Sequence, residues 1–209
     1  MTTRIKICGL TSVEDVDAAV AAGADAVGFV FYPPSPRYVS VDTAAVLIRR
    51  LPPFVLSVGL FVNAAEAEIA TALSLLPLNL LQFHGDETPA ECERWQRPYL
   101  KAVRMQPGVE VHRLAAEFAT ARALLLDAFT DSFGGSGKAF DWGLIPADLA
   151  LPFVLSGGLT ADNVGVAVRE LRPLAVDVSS GVEIAKGKKC PRRMQEFVAA
   201  VKAADGRRE

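Results

Sequence analysis

The residues able to do chemistry stand at the ends of short apolar runs. Cys8 closes RIKIC (residues 4–8) and is followed at once by Gly9, while Asp127 closes ALLLD (123–127). A thiol near its ordinary pKa of about 8.5 is a poor base at neutral pH, and a neighbouring cation or helix N-terminus lowers it. Lys6 and a helix starting at Ser12 are candidates for that duty. A carboxylate behind four apolar residues is costly to desolvate. Burial there would raise its pKa, as a general acid requires. The competing structural roles are a cysteine packed as a small hydrophobe and an aspartate used as a helix cap or in a loop hydrogen bond.

Two glycine segments suit an anion. Ser156-Gly157-Gly158-Leu159 and Ser179-Ser180-Gly181-Val182 each leave an apolar run. Glycine lets backbone N–H groups approach phosphate oxygens with no Cβ in the way. Arg37, in YPPSPRYV, lies on a proline-stiffened loop, and its fork matches a carboxylate bidentately. His84, two residues after Gln82, either faces a ligand or closes a turn.

Eight short β-branched or Leu-rich runs carry these residues: 4–8, 25–31, 54–62, 79–84, 99–104, 123–127, 152–156 and 174–179. Amphipathic stretches such as VEDVDAAVAAG, TAAVLIRRL and AEAEIATALSLL lie between them. Near-continuous apolar strands alternating with helices predict a parallel sheet covered by helices. Eight evenly spaced strands suit a closed (β/α)8 TIM barrel, an α/β fold, better than a doubly wound sheet of five or six, and no GxGxxG follows the first strand. Catalytic groups of such barrels sit at the C-terminal strand ends. Cys8, His84, Asp127, Ser156 and Ser179 all fall there, and the loops after strands seven and eight are the usual phosphate site. Period-two alternation puts Lys6 on the side of Cys8 and Asp177 on that of Ser179. Strands one and eight become neighbours on closure, so Lys6 and Asp177 are expected to pair beneath Cys8.

The 209 residues, 51% hydrophobic, predict one domain spanning 1–209. A net charge of -2 offers no basic stripe for nucleic acid. No apolar run reaches the ~20 residues that span a bilayer, and the N-terminus lacks a secretory pattern. Three scattered cysteines and two distant histidines suggest neither a disulfide framework nor a metal, and a reducing cytoplasm is expected. The polar tail DGRRE is expected to fray.

Seven stretches in this order resemble one family, phosphoribosylanthranilate isomerase of tryptophan biosynthesis. They are KICGLT (6–11), GADAVGFVF (23–31) with SPRYV (35–39), QFHGDE (82–87), LLLDAF (124–129), GGSGKAFDW (134–142), LSGGLTADNV (155–164) and VDVSSGVE (176–183). The resemblance implies Cys8 as general base, Asp127 as general acid and Arg37 on the anthranilate carboxylate. It implies phosphate held around Gly157, Gly158, Ser179 and Ser180; Gly181 of the same segment is a further phosphate candidate, and Gln82, His84 and Asp177 are candidates for substrate binding. The GGSG loop would border the site. Two positions depart from the pattern: Ser136 replaces a common threonine, and Cys190 replaces an aspartate whose expected duty is capping the last helix.

The implied reaction is an Amadori rearrangement of a phosphosugar, without metal, nicotinamide or flavin, by a monomer or homodimer. The sister isomerase of histidine biosynthesis is the nearest rival. It resembles an aspartate pair and wants a second phosphate site, for which the first half of this chain has no glycine motif. Lys101 sits too early in its strand for a Schiff-base aldolase, and the rim is short of ligands for a metal-dependent epimerase. A non-catalytic phosphate-binding barrel would have no use for Cys8 and Asp127.

Overall fold

The computed structural model describes residues 2–129 and 139–206. The GGSG segment therefore lies outside the described residues. Eight parallel strands close into a barrel in chain order: β1 Arg4–Cys8, β2 Ala26–Val30, β3 Leu56–Phe61, β4 Leu80–Phe83, β5 Tyr99–Met105, β6 Ala123–Ala128, β7 Phe153–Leu155 and β8 Ala175–Val178. β1 pairs with both β2 and β8, which seals the cylinder. Each of the eight runs read from the sequence forms a strand: β1 matches its run, β5 and β6 extend one residue further, and the other five are trimmed at both ends. In the third run, Val55 N bonds Pro52 O, and Phe54 stays in solvent.

Seven helices are described: α1 Val13–Ala22, α2 Val41–Ile48, α3 Glu66–Leu75, α4 Pro89–Glu93, α5 Val111–Glu117, α6 Ala161–Leu171 and α7 Pro191–Asp205. α1 starts at Ser12, whose hydroxyl accepts from Asp15 N, and stops at Gly23, where φ of +98° needs a residue without Cβ. Between β6 and β7 the described residues contain a 3-10 turn, Trp142–Leu144, where a regular barrel has a helix. A two-stranded hairpin, β9 Glu183–Ala185 and β10 Lys188–Lys189, follows β8 and was not expected from the sequence. Of the tail DGRRE only Asp205 and Gly206 are among the described residues. Asp205 ends α7 by accepting from Thr3 N and Oγ1, because a carboxylate there finds two donors at the base of β1.

Alternation divides the packing. Ile5, Ile7, Leu124, Leu126, Val176 and Val178 point outward against the helices. Leu100, Ala102, Ala123, Leu125 and Val154 fill the lower interior. Above them the interior opens on a smaller apolar group, Cys8, Val30, Leu60 and Val62 with Tyr32 packed on it. No helix among the described residues is long and apolar enough to cross a membrane.

Candidate active site

One cavity of about 670 Å³ opens over the C-terminal strand ends, lined by Cys8, Arg37, Gln82, His84, Asp127, Gly157, Gly158, Asp177, Ser179 and Ser180 together with Val30, Tyr32, Leu60 and Val62. Ten of the eleven predicted site residues therefore meet in one pocket. Gly181 is the exception. It sits in the short turn Ser180–Val182 with its Cα against Leu159, where an added Cβ would lie 1.9 Å from the carbonyl oxygen. It packs the β8 loop on the β7 loop rather than facing the cavity.

Lys6 and Asp177 pair as alternation required. They are opposite each other in the β1–β8 ladder and their side chains meet at 2.9 Å, both buried. Gly28, level with Cys8 on β2, leaves room there: a Cβ on it would stand 2.7 Å from Cys8 Sγ and 3.2 Å from Lys6 Nζ. Burial opposes the charge on Lys6, but Asp177 and then Cys8 outweigh it and hold the ammonium above its ordinary pKa.

The Cys8 thiol does not have the depressed pKa expected from these neighbours. Burial pushes it up, and the nearby Asp177 carboxylate adds to that. Lys6 and Lys189 pull it down without winning. Desolvation of the thiolate is the larger effect.

Asp127, next to last in β6, has both oxygens engaged. Oδ1 accepts from Ala128 N at 2.9 Å and Oδ2 lies 3.1 Å from His84 Nε2. The Gln82 amide nitrogen meets His84 Nδ1 at 2.8 Å. An amide donor on Nδ1 leaves the neutral ring's proton on Nε2, aimed at Asp127. Gln82 Oε1 is buried without a partner among the described residues. Rotation of the amide would let it accept from Nδ1–H if the ring were charged.

The loop after β7 turns through two glycines and leaves backbone donors open. Gly157 and Gly158 have φ of +80° and +65°, and Asn163 ties Gly158 O to Thr160 N just before α6. Neither glycine N–H has an acceptor among the described residues. Ser179 Oγ donates to Cys8 O at 3.0 Å, which joins the β8 loop to the end of β1.

Arg37 is buried, and its Nε and Nη2 grip Glu183 bidentately at 2.7 and 2.8 Å. Glu183 also accepts from Lys189 Nζ at 2.8 Å. Burial works against the charge of Glu183, yet the two cations hold its carboxyl below the usual range.

The chain matches the model of the N-(5'phosphoribosyl)anthranilate (PRA) isomerase family over residues 5–200. It belongs to that family. A relative from Dechloromonas aromatica, an N-(5'-phosphoribosyl)anthranilate isomerase, is 62% identical over 205 residues, covering 98% of this chain and 99% of that protein. Among solved structures, the phosphoribosyl anthranilate isomerase of Thermotoga maritima superposes with a TM-score of 0.89 at 43% identity, covering 97% of this chain and 100% of that one. A second structure of such an isomerase, in complex with reduced 1-(o-carboxyphenylamino)-1-deoxyribulose 5-phosphate, has a TM-score of 0.86 at 40% identity, covering the same shares.

Glu183 and Lys189 were not picked out from the sequence of this family member. The available signal was Glu183 directly after SSGV, an acid that needs a partner if it is buried. Cys190 stands at the N-cap of α7 and makes no side-chain cap bond, in keeping with the loss expected where an aspartate is usual.

Proposed function

We propose that the chain isomerises N-(5'-phosphoribosyl)anthranilate to 1-(2-carboxyphenylamino)-1-deoxyribulose 5-phosphate in tryptophan biosynthesis. One observation carries the reading. The same pocket holds an acid–base pair from two strands, an anion cradle on the β7 and β8 loops, and an apolar wall of Val30, Leu60 and Val62 beside Arg37. That wall suits an aromatic ring with a carboxylate at Arg37. It offers nothing to the second phosphate of the histidine-pathway substrate.

In the proposed sequence, Asp127 protonates the ring oxygen while the anilino nitrogen pushes out the C1′–O bond, giving an open-chain cationic Schiff base. The carboxylate left behind keeps the Ala128 N–H and gains from the His84 Nε2–H. Cys8, as thiolate, removes the C2′ proton. The C–H electrons form the C1′=C2′ bond and neutralise the nitrogen. One proton then leaves the C2′ hydroxyl and one is added at C1′, giving the ketone. The proton that leaves the C2′ hydroxyl restores the acid and the one taken by Cys8 balances that added at C1′, so the net change is an isomerisation and no redox cofactor is consumed.

A raised thiol pKa makes the thiolate scarce but strongly basic, and the cationic intermediate favours its formation. The Gly157 and Gly158 amides anchor the phosphate next to the start of α6.

The test is a side-by-side assay on phosphoribosylanthranilate and the histidine-pathway substrate. Turnover of the first and not the second is expected, with Cys8→Ala and Asp127→Ala inactive but folded. Normal turnover by both variants would overturn the mechanism.

A further inference from the structure

Arg37 is held by more than its own loop. A Cβ on Gly9 would come 2.5 Å from Arg37 Cδ, and one on Gly187 would come 2.5 Å from Pro36 O, so the loop is pressed from two sides. Its guanidinium spends the Nε–Nη2 edge on Glu183. The other edge, Nη1 with the second N–H of Nη2, has no acceptor among the described residues, and Arg37 lines the pocket. Glu183 belongs to β9, outside the barrel, and is shared with Lys189 on β10. Because one carboxylate serves two cations, Arg37 keeps positive potential at its outer edge. Lys189 also donates to Ser179 O and Oγ, both at 3.1 Å, so the hairpin is anchored beside the phosphate loop.

We propose that Glu183 is a positioning residue for carboxylate recognition: by gripping one edge of Arg37 it aims the other at the carboxylate on the substrate ring, which rests on Arg37 taking that carboxylate as proposed above. A free arginine side chain samples many rotamers, and ordering it on binding costs affinity. The buried fork removes that cost in advance. It also uses a property that lysine lacks, two edges to divide between partners.

The test measures binding of two probes by calorimetry: reduced 1-(o-carboxyphenylamino)-1-deoxyribulose 5-phosphate and its phenyl counterpart without the carboxylate. The ratio of their Kd values reads carboxylate recognition alone. Glu183→Gln is expected to cut the wild-type ratio by about tenfold or more, the scale of a charge-assisted hydrogen bond. Arg37→Ala should cut it at least as far, and the double variant no further than Arg37→Ala. If Glu183→Gln weakens both probes equally and keeps the ratio while Arg37→Ala loses it, Glu183 is merely structural and the proposal fails. Additive losses in the double variant also overturn it. An unchanged ratio in Arg37→Ala would instead sink the carboxylate reading of Arg37 itself. Should Glu183→Gln not fold, Arg37→Lys decides, since it keeps the charge facing Glu183 without a second edge. Its ratio should fall to the Arg37→Ala level, and a wild-type ratio would refute the divided fork.

Discussion

Lys6 Nζ lies 2.9 Å from Asp177 Oδ1 across the β1–β8 seam, and neither side chain is more than 5% exposed. The pair sits one layer below Cys8, so it supports the barrel closure and sets the charge beneath the thiol. Removing one partner leaves an uncompensated buried charge. Lys6→Met or Asp177→Asn alone should cost about 3–5 kcal/mol. An apolar double replacement, Lys6→Met with Asp177→Leu, should cost clearly less. Urea unfolding of the three variants checks this, and equal losses in all three would contradict it.

The position of Cys8 carries a pH signature. Its thiol is pushed above the ordinary value, chiefly by burial, and the deprotonated form is the proposed base. The active fraction is therefore small at neutral pH and grows as pH rises. The value of kcat/KM should still be climbing past about pH 8.5, the ordinary cysteine pKa. Lys6→Met removes a neighbour that lowers the thiol and should move the limb to higher pH. A profile flat from pH 6 to 9 would speak against a cysteine base.

Glu183 makes an acid-side contribution to stability. Its folded-state pKa is lowered, with burial opposing and Arg37 and Lys189 prevailing. A lowered carboxyl contributes stability that is complete above its unfolded pKa of about 4.3 and is lost as pH falls through the folded value. Glu183→Gln should flatten that part of the acid limb. Thermal unfolding between pH 3 and 6 measures it, and an unchanged acid limb would refute the assignment.

Gly157 couples the proposed anion cradle to the proposed acid. With φ of +80°, an added Cβ would fall 2.3 Å from Ala128 N and 2.8 Å from Asp127 Oδ1. Gly157→Ala should cost about 1–3 kcal/mol in backbone strain. It should also lower kcat, because the clash displaces Asp127. Wild-type kcat in a folded variant would show that the loop and the acid are independent.

At the start of α7, Cys190→Asp restores a side-chain acceptor at the N-cap. A gain of about 1 kcal/mol is expected, with kcat unchanged. The melting temperature reports it directly, and no rise would mean the cap is satisfied another way.

Local pattern was enough for the barrel and for most of its rim. Apolar runs at even spacing announced eight strands, and period-two alternation together with barrel closure predicted that Lys6 and Asp177, 171 residues apart, would meet. The strands and their facing follow from short-range rules that any strand obeys, and the eight-strand count supplies the closure that brings β1 beside β8. Three things were decided only by the closed structure. The pairing of Arg37 with Glu183 joins residues 146 apart through a hairpin that no periodicity marks. The contact of His84 with Asp127 depends on which rim residues the curvature brings together. The thiol of Cys8 lies above its ordinary pKa rather than below it, because desolvation is set by everything packed around the sulfur, and the charged neighbours visible in the sequence are the weaker influence.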